Sequence, residues 1–149
     1  MKIKRRTAID LSIHFISTGL FAAIIYKISA NFIYVGIFMV GGILIDLDHF
    51  IDHFIHFKNR FRLSDFLGST YLKSGKVYLF LHSWELNLVI LLAALVIKSY
   101  GLFILFLSLS IHLCIDNIQR RNRLTYFLIY RYYKEFDRDI LLPELKGEF

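Results

Sequence analysis

The chain has 149 residues, 56% of them hydrophobic, one proline and a mean hydropathy of +0.54. A soluble domain is about 45–50% apolar, and one this small has too little interior to hide the excess, so an ordinary soluble fold is excluded. The net charge of +6 does not point to nucleic acid, because the basic residues flank apolar segments, where membrane topology already requires them.

Four apolar stretches follow one another, each near the roughly 20 residues that cross a bilayer. The first, residues 8–28, follows Lys2, Lys4, Arg5 and Arg6. Its length, His14 and Lys27 argue against a cleaved signal peptide. The second, residues 32–56, holds most of the acids, and Gly19, Gly36, Gly41 and Gly42 along these two stretches permit close helix contact, within one chain or in a homo-oligomer. A mixed basic and apolar connection, residues 58–76, is expected to lie along the membrane surface. The third and fourth stretches cover residues 77–98 and 101–119. After them, residues 120–138 alternate Arg and Lys with Tyr126, Phe127, Tyr130, Tyr132 and Tyr133, as an amphipathic interfacial helix would. The expected fold is therefore all-α, a four-helix transmembrane bundle with an interfacial C-terminal helix, in a single domain.

Sixteen of the eighteen basic residues fall in the N-terminus, the 58–76 connection and the tail, leaving only Lys27 and Lys98 elsewhere. The positive-inside rule puts both termini and the long connection in the cytoplasm, in a cell (inner) membrane. Cys114, the single cysteine, excludes an internal disulfide and reads as a small packed residue.

What interrupts the apolar stretches is polar. The first carries His14, the second Asp46, Asp48, His49, Asp52, His53 and His56, the third His82 and Glu85, the fourth His112 and Asp116. At about 1.5 Å per residue, His14 and His82 lie roughly 8–9 Å from the cytoplasmic surface. Asp46 and His49 lie about 20–26 Å from the outer side of a core about 30 Å thick, and His112 and Asp116 about 15–21 Å. The polar groups thus share one layer. On the second helix they span an arc of roughly 160°, and the pairs His82/Glu85 and His112/Asp116 are spaced to share a face. One lipid-facing acid costs about 2.5–3.5 kcal/mol at mid-membrane, so these acids should face inward, paired, protonated or on cations. His53 and His56, near the helix end, fit an interfacial or supporting place as well as a ligand's. Trp84 and the tail tyrosines read as an aromatic belt. Arg120, Arg121 and Arg123 read as topology anchors or, less simply, as a clamp for a lipid phosphate.

Imidazole with carboxylate is a ligand set for Zn²⁺, Mn²⁺ or Fe²⁺, with zinc the usual choice where no redox role shows. The donors exceed the four of one tetrahedral zinc, which favours two or more ions with bridging carboxylates, as in centres that attack phosphate esters. A carboxylate outside the ligand set, Glu85 or Asp52, is a candidate general base.

Asp46-Leu47-Asp48-His49, preceded by Gly41-Gly42 and His14, resembles the Asp-x-Asp-His signature of the YdjM-like family of membrane-bound metal-dependent hydrolases. His82-Ser83 and His112-x-x-x-Asp116 follow in that family's order, so the resemblance covers roughly residues 8–118. Phe80-Leu81 stands before His82 where the family carries Arg-Gly. The family in turn is similar to zinc-dependent phospholipase C. The resemblance implies His14, Asp46, Asp48, His49, His82, His112 and Asp116 as metal ligands.

The expected function is a metal-dependent hydrolase of a phosphate ester, with a membrane lipid as substrate, at the cytoplasmic leaflet. The alternative is a divalent-metal or proton transporter, since ion pathways also use intramembrane Asp and His. The outer half, with Ser17, Thr18, Ser99, Ser108 and Ser110 as its main polar groups, favours a one-sided site. A heme-binding subunit ranks last because carboxylates suit a hard cation better. No specific nucleic-acid contact is expected.

Overall fold

The structure, a computed structural model, describes residues 5–58 and 70–146. Much of the surface-lying connection expected at 58–76, Asp65 included, falls outside these residues. Among the described residues the protein is all-helical, with no strand and one isolated bridge between Lys76 and Asp137. Helix α1 covers Arg5–Ser29, α2 Phe32–Leu44, α3 Leu47–Phe57, α4 Trp84–Ile97 and α5 Tyr100–Gln119. Two short helices, α6 (Leu128–Tyr133) and α7 (Arg138–Leu141), follow.

Three spans are long and apolar enough to cross a membrane: Ile9–Ser29, Phe32–Phe57 and Tyr100–Gln119. Less than a third of each is buried inside the protein, so the apolar side chains face outward, as they would in lipid. The turns at one end are short. Asn31 caps α2 by accepting from the Ile33 N–H at 2.8 Å, and Ser99 caps α5 by accepting from Leu102 at 3.3 Å. Helix α5 is central, packing on α2 and α4 and more lightly on α1. The contact with α2 is close because Gly41 and Gly42 lack side chains. A Cβ at Gly41 would meet Leu105 and Ser108 at 2.8–3.1 Å, and one at Gly42 would meet Thr18 at 2.8 Å. Gly19 and Gly36 face open space. Cys114 is exposed on α5 rather than packed inside.

Two elements differ from their sequence expectation. The third apolar stretch becomes helical only at Trp84, where Ser83 accepts from the Leu86 N–H at 3.1 Å. The preceding residues 77–83, and His82 among them, form a non-helical segment. The tail at 120–138 is a chain of turns with one six-residue helix, folded back on the protein rather than one amphipathic helix. The apolar core lies under these segments, joining Ile45, Leu109 and Leu113 to Leu72, Val77, Leu79, Tyr126 and Leu141.

Candidate metal centre

The second span is not one uniform helix. Between α2 and α3 the hydrogen bonds tighten to the i→i−3 kind: Asp46 N–H to Ile43, Asp48 to Ile45 and His49 to Asp46, at 3.1–3.2 Å. Residues three apart eclipse each other in such a turn, which sets Asp46 and His49 side by side. His14 reaches the same point from α1, His112 and Asp116 from α5, and His82 from the segment before α4.

The donors form two adjacent groups, His14 with His112 and Asp116, and Asp46 with His49 and His82, the potential ligand atoms of each lying within 4.8 Å of one another. Four atoms join the groups. His82 Nε2 lies 3.6 Å from Asp46 Oδ1 and 3.6 Å from Asp116 Oδ2, and His112 Nε2 lies 3.5 Å from each of the same two oxygens. The other oxygen of Asp116 lies 2.9 Å from His14 Nε2, and the His14 ring stacks on His112 at 4.0 Å.

The hydrogen bonds behind the rings fix which nitrogen faces inward. His112 Nδ1 is 3.1 Å from the Gly42 carbonyl oxygen, an acceptor only, so Nδ1 carries the proton. His82 Nδ1 lies 3.2 Å from Asp48 Oδ2, which also accepts the His82 backbone N–H at 2.7 Å. In the neutral rings both Nε2 atoms then offer lone pairs to carboxylate oxygens, an arrangement that repels unless a cation or proton lies between. His112 Nε2 is buried without a hydrogen-bond partner. Bonds of about 2.0–2.2 Å to a tetrahedral zinc imply ligand-to-ligand edges of about 3.3–3.6 Å, and the four N–O separations among these atoms, 3.5–3.6 Å, match them. The residues present fit a metal ion.

Asp48 stands one step back. One of its oxygens holds His82, and the other is buried without a partner. The two general-base candidates are also engaged. Asp52 accepts the backbone N–H groups of Tyr78 and Leu79 at 3.1 and 3.4 Å, and so pins the non-helical segment. Glu85 accepts those of Leu128 and Ile129 at 2.9 and 3.0 Å and the Ser83 hydroxyl at 3.1 Å, and so fastens the tail. His53 is buried against Phe57, and His56 is exposed beside the same ring. Neither belongs to the donor groups.

Three tail residues stand around the centre, and for one of them, Arg131, the sequence reading gives no role. Arg131 is fully buried and donates to the His82 carbonyl at 2.9 Å. Burial pulls its pKa below the usual arginine value despite Asp48 and Glu85 nearby. Tyr126, expected in an aromatic belt, is buried with its ring 6.0 Å from that of His82, and burial raises its phenol's pKa. No pattern in the tail separates Arg131 from its neighbours. Arg120, read from the sequence as a topology anchor or a clamp for a lipid phosphate, donates through Nε to the Tyr126 hydroxyl at 3.0 Å. No family model, curated protein or solved structure matches the chain.

Proposed function

We propose that the protein is a membrane-embedded, metal-dependent hydrolase that acts on a phosphate ester, with a lipid as substrate, at the cytoplasmic leaflet. The observation that carries the reading is the set of four facing atoms, His82 Nε2, His112 Nε2, Asp46 Oδ1 and Asp116 Oδ2, whose four N–O separations match ligand-to-ligand edges about a zinc ion. His14, beside Asp116, and His49, beside Asp46 and His82, add donors beyond these four and would serve a second ion. Bound zinc-type ions supply Lewis acidity and a water acidified towards neutral pH. In this reading Asp48, Asp52 and Glu85 are supports, because their oxygens already serve His82, residues 78–79 and the tail. Asp46 keeps 35% of its side chain exposed, against 11% or less for His82, His112 and Asp116, so substrate meets the centre on the Asp46 side. That side is flanked by exposed Ile43, Leu44 and Leu47, a surface suited to an acyl chain. The order and type of these donors, with the resemblance to YdjM-like hydrolases, support a hydrolase. A conduit would need carboxylates or imidazoles towards the far end, and the sequence between Ser17 and Gly42 has none.

The test is metal content by mass spectrometry on detergent-purified protein, beside a His49→Ala/His112→Ala double variant. The expected result is two or more zinc-type ions per chain, lost in the variant. Protein purified without chelator that holds no stoichiometric metal would remove the reading and favour a proton pathway.

A further inference from the structure

Two divalent ions held by only two carboxylates, Asp46 and Asp116, leave an excess of positive charge facing the open side. Such a centre attracts an anion, and a guanidinium fixed at its edge would read one geometrically. Of the three arginines directly after α5, Arg120, Arg121 and Arg123, only one is built for this. Arg121 is exposed, and Arg123, also exposed, spends Nη1 on the Asn117 carbonyl at 2.7 Å. Arg120 is held on two sides. Its Nε donates to the Tyr126 hydroxyl at 3.0 Å and its Nη1 to Glu144 at 3.2 Å.

Tyr126 is itself packed beside the His82 ring, so the brace runs from the metal-facing histidine to Arg120. Arg120 also lies in the electrostatic reach of Asp116 and His49. Its side chain keeps 20% exposure, and Nη2 makes no hydrogen bond among the described residues.

We propose that Arg120, resting on the metal-centre reading above, is the residue that binds the phosphate group of the substrate, through Nη2. The bracing by Tyr126 and Glu144 fixes the fork in advance, so little side-chain freedom is lost on binding.

The experiment titrates zinc-loaded, full-length protein in detergent with inorganic phosphate and, separately, with a short-chain phosphatidic acid in mixed micelles. Metal content is measured on each sample. The expected result is that Arg120→Met keeps its metal but binds both probes about tenfold to a hundredfold more weakly, the scale of a lost charge-assisted hydrogen bond. Arg121→Met should match the wild type. Tighter wild-type binding of phosphatidic acid than of phosphate assigns the group to a lipid, and equal binding assigns it to a soluble ester. Should Arg120→Met fail to fold, Arg120→Lys carries the test, since a compact ammonium lacks the planar fork that reaches Tyr126, Glu144 and an anion on separate nitrogens. Unchanged affinity in a metal-loaded Arg120 variant, or no phosphate binding by metal-loaded wild type, overturns the inference alone. A wild type without metal overturns the metal-centre reading as well.

Discussion

Asp46 and Asp48 are two residues apart and alike in chemistry, yet their oxygens meet different partners. Asp46 Oδ1 faces two imidazole nitrogens at 3.5–3.6 Å, while Asp48 Oδ2 is taken by the backbone and ring N–H groups of His82. A carboxylate behind a ligating histidine fixes the ring's tautomer and orientation, and losing it weakens metal affinity about 10–100-fold rather than abolishing the site. Asp48→Asn should therefore retain stoichiometric metal at reduced affinity, and Asp46→Asn or Asp116→Asn should lose it. Competition against a chelating dye in detergent separates the two classes. Complete loss in Asp48→Asn would return it to the ligands, where the sequence reading put it. That reading could find all of these residues because a buried carboxylate beside histidine stands out in an apolar stretch. It could not rank them, because the rank depends on a i→i−3 turn at Ile45–Asp46 that no residue type announces.

At the scale of elements, the segment before α4 departs furthest from expectation. Val77 to Leu81 reads as the start of an apolar helix, but its amides bond elsewhere. Val77 donates to Phe136, Tyr78 and Leu79 to Asp52, and His82 to Asp48. Non-helical backbone near membrane depth survives only where protein satisfies its polar groups, and acids on α3 do that here. The helix begins where Ser83, a favoured N-cap residue, accepts from the Leu86 N–H. The tail depends on the same kind of support. Glu85 accepts two N–H groups at the start of α6, where a negative charge also meets the positive end of the helix. Glu85→Gln keeps an acceptor but loses the charge, at a cost of about 1 kcal/mol. Limited trypsin digestion should then cut after Arg131 severalfold faster while metal content stays at the wild-type value. Loss of metal at an unchanged digestion rate would instead put Glu85 in the centre itself.

At the scale of the whole molecule, charge and chemistry gather at one end. The start of α1, the Asp46–Phe57 region, residues 70–83 and the tail meet around the centre, while the Ala30–Asn31 and Lys98–Ser99 turns lie at the other end of the helices. Sixteen of the eighteen basic residues fall outside those two turns and the spans they join. The α4 helix, at 14 residues, is about 21 Å long against a hydrocarbon core of about 30 Å. If its far end reaches the outer surface with Lys98, its start at Trp84 lies several ångströms inside the inner one, which brings the His82 segment to the depth of the centre. That arrangement requires Lys27 and Lys98 to be extracellular or periplasmic and Lys73 to be cytoplasmic. Single cysteines placed at 27, 73 and 98 in a Cys114→Ser background test it with a membrane-impermeant maleimide on intact cells. Label is expected at 27 and 98 at once, and at 73 only after the membrane is opened. Label at 73 in intact cells would turn the protein over, moving the centre to the opposite leaflet and removing cytoplasmic-leaflet lipids as its substrate.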